Sequence, residues 1–393
     1  MKLEFFFNIA TVFSIITMII FPSMHNEIFT LYFLLFIFKI KRDGYKKTGY
    51  EKYIILVAFT FILSSIGTGD PKILKNIFRV IKIFMLLIFM LQFEFHKEIK
   101  KNFMYLFLLI GIYGVVRFKF FPLQESVTRY YSYMKFILDS SVVAFTGFIF
   151  SITSIFNEVD KKRRFVALIN ILIFLYLIIV FQVRATYLAV VVVSLPIMFN
   201  KFRNKKYVLA TIIGFLIFTG ILLKNENDII VKYTKRIESI GNVKTNSSNL
   251  ARLHYWESAI KVFKKHPLTG MGYKRFNKSH YSLENKMFEK SFYHAHNEYF
   301  AILAETGILG FVAWILLKFK ILSVLWKRRK DSYTEFMFYS VLGFEVHNMF
   351  QVYLTSRYTY VYVILLLGIC GETLLREEQL EDKKLKVLKN MII

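Results

Sequence analysis

Two histidines stand one residue apart in His294-Ala295-His296 and are followed directly by Asn297 and Glu298. An imidazole with an unperturbed pKa near 6.5 can take a proton from a hydroxyl at neutral pH, and a neighbouring carboxylate such as Glu298 can fix its tautomer. General-base chemistry is therefore the first expectation for the pair. Metal binding is the competing one, but no Cys, Asp or third His follows at ligand spacing. Asn297 is also a suitable N-cap for the apolar helix that begins there.

Four cations are placed where an anion could be held. Arg252 lies within about 60° of the centre of an apolar stripe on an amphipathic helix, so it points toward lipid or protein instead of joining the lysines opposite. It can snorkel to headgroups, or it can clamp a phosphate, whose oxygens match the planar guanidinium fork. Arg184 sits in Phe181-Gln-Val-Arg-Ala-Thr-Tyr187 at an outer turn between two apolar runs, and Arg79 and Lys82 share one face of another helix. Ionisable residues at membrane depth are functional candidates by default, although interfacial anchoring explains the same positions. Glu345 and His347 lie inside a further apolar run about 200° apart on the helical wheel, so they face different neighbours. A proton relay or interhelical hydrogen bonds are the two readings for them.

These residues must be positioned by a membrane protein. The chain of 393 residues is 55% apolar and 18% aromatic, with a mean hydropathy of +0.45, and its long apolar runs lack the period-2 alternation of a barrel. Apolar stretches near 5–21, 28–40, 53–67, 77–94, 103–117, 134–156, 165–182, 185–199, 207–223, 298–317, 335–355 and 358–375 predict about twelve spans of an all-α polytopic protein. The run Phe5 to Phe21 lacks a small-residue cleavage site and is read as a retained first helix. Connections at 39–52, 97–101, 161–164, 201–206 and 318–330 are strongly basic while those alternating with them are not, which places both termini in the cytoplasm. Most of the formal charge of +26 is then topology, which argues against nucleic-acid binding. The single cysteine, Cys370, allows no intrachain disulfide.

The organisation that follows is 1–223 for helices one to nine, 224–296 for a large outward loop, 297–376 for helices ten to twelve and 377–393 for a cytoplasmic tail. The loop carries 14 Lys/Arg against 6 Asp/Glu. Long loops follow the charge rule poorly, so this excess invites a functional explanation. Within it, Asn249 to His266 reads as an amphipathic helix at the membrane surface, with Leu250, Leu253, Trp256, Ala259, Ile260 and Phe263 on one side and His254, Ser258, Lys261 and Lys265 on the other. Pro267 ends it, and Gly270 and Gly272 supply a flexible turn.

Taken in order, Ala251-Arg-Leu-His-Tyr-Trp256, Lys265-His-Pro-Leu-Thr-Gly-Met-Gly272, His294-Ala-His-Asn-Glu298 and Glu305-Thr-Gly-Ile-Leu-Gly310 resemble the signature of the O-antigen ligase and polymerase superfamily. The helix count, the loop before the third-last helix and Arg184 in an Arg-Ala turn extend the resemblance. Val183 departs from it, since many relatives carry Ser or Thr before the arginine. The resemblance implies an inverting, metal-independent glycosyltransferase of the GT-C type without cofactors. It would act at the periplasmic face of the bacterial inner membrane on a glycan carried by undecaprenyl diphosphate. It carries the family's catalytic histidine to His296 and its two arginines to Arg252 and Arg184. Arg79, Lys82, His294, Asn297 and Glu298 would contact the diphosphate or the acceptor. Ligation to a lipid A-core acceptor is preferred, polymerisation of an O-antigen or capsular polysaccharide is the alternative, and a transporter or flippase is the reading from another class.

Overall fold

The computed structural model describes residues 2–66, 68, 71–120, 127–201, 247–276 and 294–375. Every described element is helical. In chain order these are α1 (Lys2–Ile20), α2 (His25–Asp43), α3 (Glu51–Leu63), α4 (Pro71–Leu91), α5 (Lys97–Phe120), α6 (Val127–Asn157), α7 (Lys161–Phe181), α8 (Arg184–Lys201), α9 (Ser247–Lys265), α10 (Glu298–Lys327), α11 (Ser332–Asn348) and α12 (Arg357–Ile369). Among them α1, α5, residues 137–157 of α6, α7 and α10 are long and apolar enough to cross a membrane. The expected span at 207–223, much of the 224–296 loop and the 377–393 tail lie outside the described residues.

The chain divides into two compact units. The first comprises Met1–Asn102, Arg252–Phe338 and Asn348–Ile393, and the second comprises Phe103–Ala251 and Tyr339–His347. In the second unit α6 packs along α7 and α8. Asp160 caps α7 by accepting from the backbone N–H groups of Lys162 and Arg163, which starts the helix directly beneath the basic run 161–164. In the first unit α12 and α2 pack on α4, while α3 packs on α10.

The expectation of one continuous span over 298–317 is corrected by Gly307, whose backbone (φ 64°, ψ −168°) interrupts α10. A straight helix would hold Glu298 and Lys318 about 30 Å apart, yet Lys318 Nζ lies 3.4 Å from Glu298 Oε1. Tyr299 and Trp314 likewise meet at 5.3 Å between ring centroids. The helix therefore folds back on itself at Gly307, and the part able to span is 308–327, about 30 Å long at 1.5 Å per residue. Uniform apolarity on both sides of Gly307 hides this turn in the sequence.

Candidate active site

Residues 267–276 fill the bend in α10 and hold it open. Met271 N donates to Ala304 O at 3.2 Å and Gly272 N to Glu305 O at 2.9 Å, while Ile308 N donates to Pro267 O at 2.9 Å. Each backbone supplies partners for groups that the break in the other leaves without helical bonds. A Cβ on Gly270 would come within 2.4 Å of the Glu305 carbonyl carbon, and one on Gly307 within 2.4 Å of Leu268 O. Both glycines also have positive φ, so they are required twice over. The turn expected to be flexible is thus docked. Glu305, 4% exposed, completes the lock by accepting from Lys274 N at 2.9 Å and Phe276 N at 3.2 Å.

The loop helix α9 presents a different face from the one the apolar stripe suggested. Ala251, Ala259 and Val262 are buried with Arg252, Tyr255, Trp256 and Phe263 half-buried, whereas Leu253 and Ile260 are exposed. The packed face follows small residues because α9 approaches a close-packed cluster of Phe276, Ala295, Ala301, Ala304 and Val352. Large side chains would hold the helices apart. This rotation centres Arg252 and Tyr255 on the side that meets the histidine segment. Trp256 is anchored against Phe300 at 5.6 Å.

His296 itself sits in the left-handed region (φ 51°), an uncommon conformation for a residue with a Cβ and one that clusters at functional sites. Tyr255 stacks on its ring at 5.4 Å and 22°. The Gln351 side chain hydrogen-bonds the imidazole and favours its protonation, as an acceptor of a ring N–H does. Nδ1 is buried without a partner among the described residues, so the bond to Gln351 engages Nε2 and leaves the lone pair on Nδ1. Burial, then the charges of His294 and Arg252, lower the His296 pKa to about 3. The ring is neutral at rest, as a base must be. His294 accepts from His296 N at Nδ1, 3.3 Å away, and burial lowers its pKa to about 4.

Asn297 caps α10 by accepting from Phe300 N at 3.1 Å. Glu298, with no exposed surface, accepts from Leu354 N at 2.8 Å and pairs with Lys318. Its carboxylate ties the histidine segment to the later part of the α11–α12 connection and to the far arm of the α10 hairpin. Tyr255 and Gln351 were not singled out by the sequence. For Tyr255 the signal was its helical spacing from Arg252 and Ala259; Gln351 lies in a connection with no pattern that could have found it.

In the second unit, Gln182 takes a left-handed conformation (φ 53°) to end α7, and Arg184 opens α8 immediately afterwards. Arg184 Nη1 donates to Asn249 Oδ1 at 2.8 Å. Asn249 is in the first turn of α9, the helix that continues to Arg252. Two residues on, Thr186 Oγ1 lies 3.1 Å from His347 Nε2, and His347 Nδ1 donates to Gly343 O at 2.8 Å. Thr186 is therefore the donor to Nε2, and His347 makes the interhelical hydrogen bond that was one of its two readings.

Arg79 and Lys82 occur in the first unit, in a narrow cleft with His25, Asn26, Phe29 and Arg357. Among the described residues, no cluster of three or more His, Cys, Asp or Glu side chains is placed to hold a metal.

A helical membrane protein with a paired-histidine segment beside a basic loop helix is thus the class that fold and site define. Residues 169–315 match the family model described as O-Antigen ligase, which supports the resemblance of this chain to the O-antigen ligase superfamily. The matched region runs from α7 into α10 and includes Arg184, Arg252, His294, His296 and Glu298; Arg79, Lys82, Gln351 and Arg357 fall outside it. No curated protein significantly matches the chain.

Proposed function

We propose that this protein is an O-antigen ligase, transferring a glycan from undecaprenyl diphosphate to a lipid A-core acceptor at the periplasmic face of the inner membrane. The observation that carries the mechanism is the neutral His296, with Gln351 on one ring nitrogen and a lone pair on the other, within electrostatic reach of Arg252. In this GT-C-type reaction the acceptor hydroxyl gives its proton to His296 Nδ1 as its oxygen attacks the anomeric carbon. The bond from that carbon to the diphosphate oxygen breaks on the opposite face, inverting the centre, and the lipid diphosphate leaves with the electron pair. Arg252 and Arg184 neutralise the charge that develops there without a metal, each charge-assisted contact contributing roughly 1.5–3 kcal/mol. Approach of the dianionic donor also raises the His296 pKa, so the base strengthens as the substrate arrives. His294, Asn297 and Glu298 hold the segment, while Arg79 and Lys82 contact the diphosphate or the acceptor.

The reading places about twelve helices in the bilayer, with cytoplasmic termini and residues 224–296 in the periplasm. Deletion of the gene followed by glycan analysis tests it. Full-length polymer accumulating on undecaprenyl diphosphate is the expected result. Accumulation of single repeat units would assign the chain to polymerisation of O-antigen or capsule, and an unchanged pool of lipid-linked glycan would remove the enzyme reading. Transfer between two lipids by the purified protein in a closed assay would exclude a transporter or flippase.

A further inference from the structure

Arg184 stands at the first residue of α8, where the backbone N–H groups have no partners earlier in their own helix and the turn must be fixed from outside. Thr186 N and Tyr187 N donate to Val183 O at 2.9 and 3.3 Å, closing the turn on the residue before the arginine. Tyr187 Oη donates to Ile179 O at 3.1 Å and ties the turn to α7. Thr186 Oγ1, donating to His347 Nε2 at 3.1 Å, ties it to α11. Thr186 and His347 are both fully buried.

The histidine is itself fixed on three sides. Besides Thr186, Gly343 O takes its Nδ1–H at 2.8 Å, one turn back in α11, and the Phe145 ring of α6 lies 5.3 Å away, edge on. That ring sits where a glycine is needed, since a Cβ on Gly343 would overlap Phe145 Cζ. The Nδ1–H ends on a backbone carbonyl, which passes no proton onward, so the arrangement is a tether and not a relay. A hydroxyl and an imidazole withdrawn from water also need each other, because either left alone keeps its desolvation cost.

On the helical wheel Thr186 is about 200° from Arg184, so the tether grips α8 from behind while Arg184 Nη1 reaches Asn249 Oδ1 in front. Turning this first turn about the helix axis would break the contact behind and swing the one in front. We infer that Thr186 and His347 are positioning residues, whose hydrogen bond sets the direction in which Arg184 presents its guanidinium group. The inference rests on the reading of Arg184 as the residue that neutralises the leaving diphosphate and deepens it. It adds a residue of α11 that lies outside the stretch 169–315.

The test uses purified full-length protein in nanodiscs and two measurements: glycan transfer from the lipid diphosphate donor, and deuterium exchange of the amides at the start of α8. Thr186→Val replaces the hydroxyl by a methyl group of similar size. It should speed exchange at Thr186 and Tyr187 and lower kcat by about fivefold, the worth of one hydrogen bond, with KM nearly unchanged. Thr186→Ser, which keeps the hydroxyl, should restore both. In an Arg184→Ala background Thr186→Val should lower transfer no further, because the two changes act through one side chain. Losses that multiply in that pair overturn the positioning role, and unchanged exchange in Thr186→Val overturns the tether. Should Thr186→Val fail to fold, Thr186→Ser and Thr186→Ala differ only by the hydroxyl and carry the comparison, and equal exchange and transfer in those two overturns the inference. Wild type that transfers no glycan, while exchange rises in Thr186→Val, would fault the ligase reading and leave the tether standing.

Discussion

Around α10 the buried carboxylates are fully engaged by the protein: Glu298 by Lys318 and the Leu354 N–H, Glu305 by the Lys274 and Phe276 N–H groups. At the mouth of α2, α4 and α12 the opposite holds, and Arg79, Lys82 and Arg357 meet an asparagine, aromatic rings and a histidine. Both regions belong to the same unit and both concentrate charge. Paired buried charges are expensive to separate and so hold a geometry before substrate arrives. Among the described residues, the cations of the second region have no such carboxylate partner and fix less geometry. On the proposed reading, the histidine segment is accordingly held in place before substrate arrives.

The comparison breaks most visibly at the base. His296→Ala should reduce glycan transfer by about 10²–10⁴-fold at normal protein levels, read as loss of ligated polysaccharide; Arg252→Ala should also abolish most of it. Activity retained in both variants would remove the site. Next in size is Lys318→Met, which leaves Glu298 buried without its counter-ion and should cost about 3–5 kcal/mol of stability. Adding Glu298→Gln should recover most of that loss in a denaturant titration. If the single and double variants are equally unstable, the ion pair is not what holds the hairpin.

Gly307→Ala should cost about 1–3 kcal/mol from the backbone conformation alone, with the clash against Leu268 adding to it, and a melting curve close to wild type would contradict the docked turn. A pH series sharpens the contrast further. The folded His296 and His294 titrate at about 3 and about 4, below the value near 6.5 of an unfolded chain. The unfolded state therefore binds more protons across this window, and stability rises with pH from about 3 to about 6.5. Replacing both histidines by glutamine should flatten that slope. In the cleft, Arg357→Gln removes repulsion and should leave the melting temperature unchanged or slightly raised in lipid-free detergent.

Much of this molecule was legible before any coordinates. Apolar runs long enough for a bilayer must become helices because backbone groups in hydrocarbon have no other partners, and the runs expected at 103–117 and 134–156 fall within α5 and α6 while that at 165–182 ends one residue past α7. The ordered motifs of the loop, with Arg184 in its Arg-Ala turn, led to His296, Arg252 and Arg184 through their resemblance to the O-antigen ligase signature, and these remain the proposed site. Only the tertiary structure decided that α10 turns back at Gly307, that α9 buries Ala259 and Val262 in place of Leu253 and Ile260, and that Gln351 reaches the imidazole. Periodicity records which residues are apolar, whereas packing selects which of them fit, and small residues at a close approach carry almost no hydropathy signal. Arg357 stands 278 positions after Arg79 in the chain. Nothing along a one-dimensional pattern joins them; the meeting of α4 with α12 does.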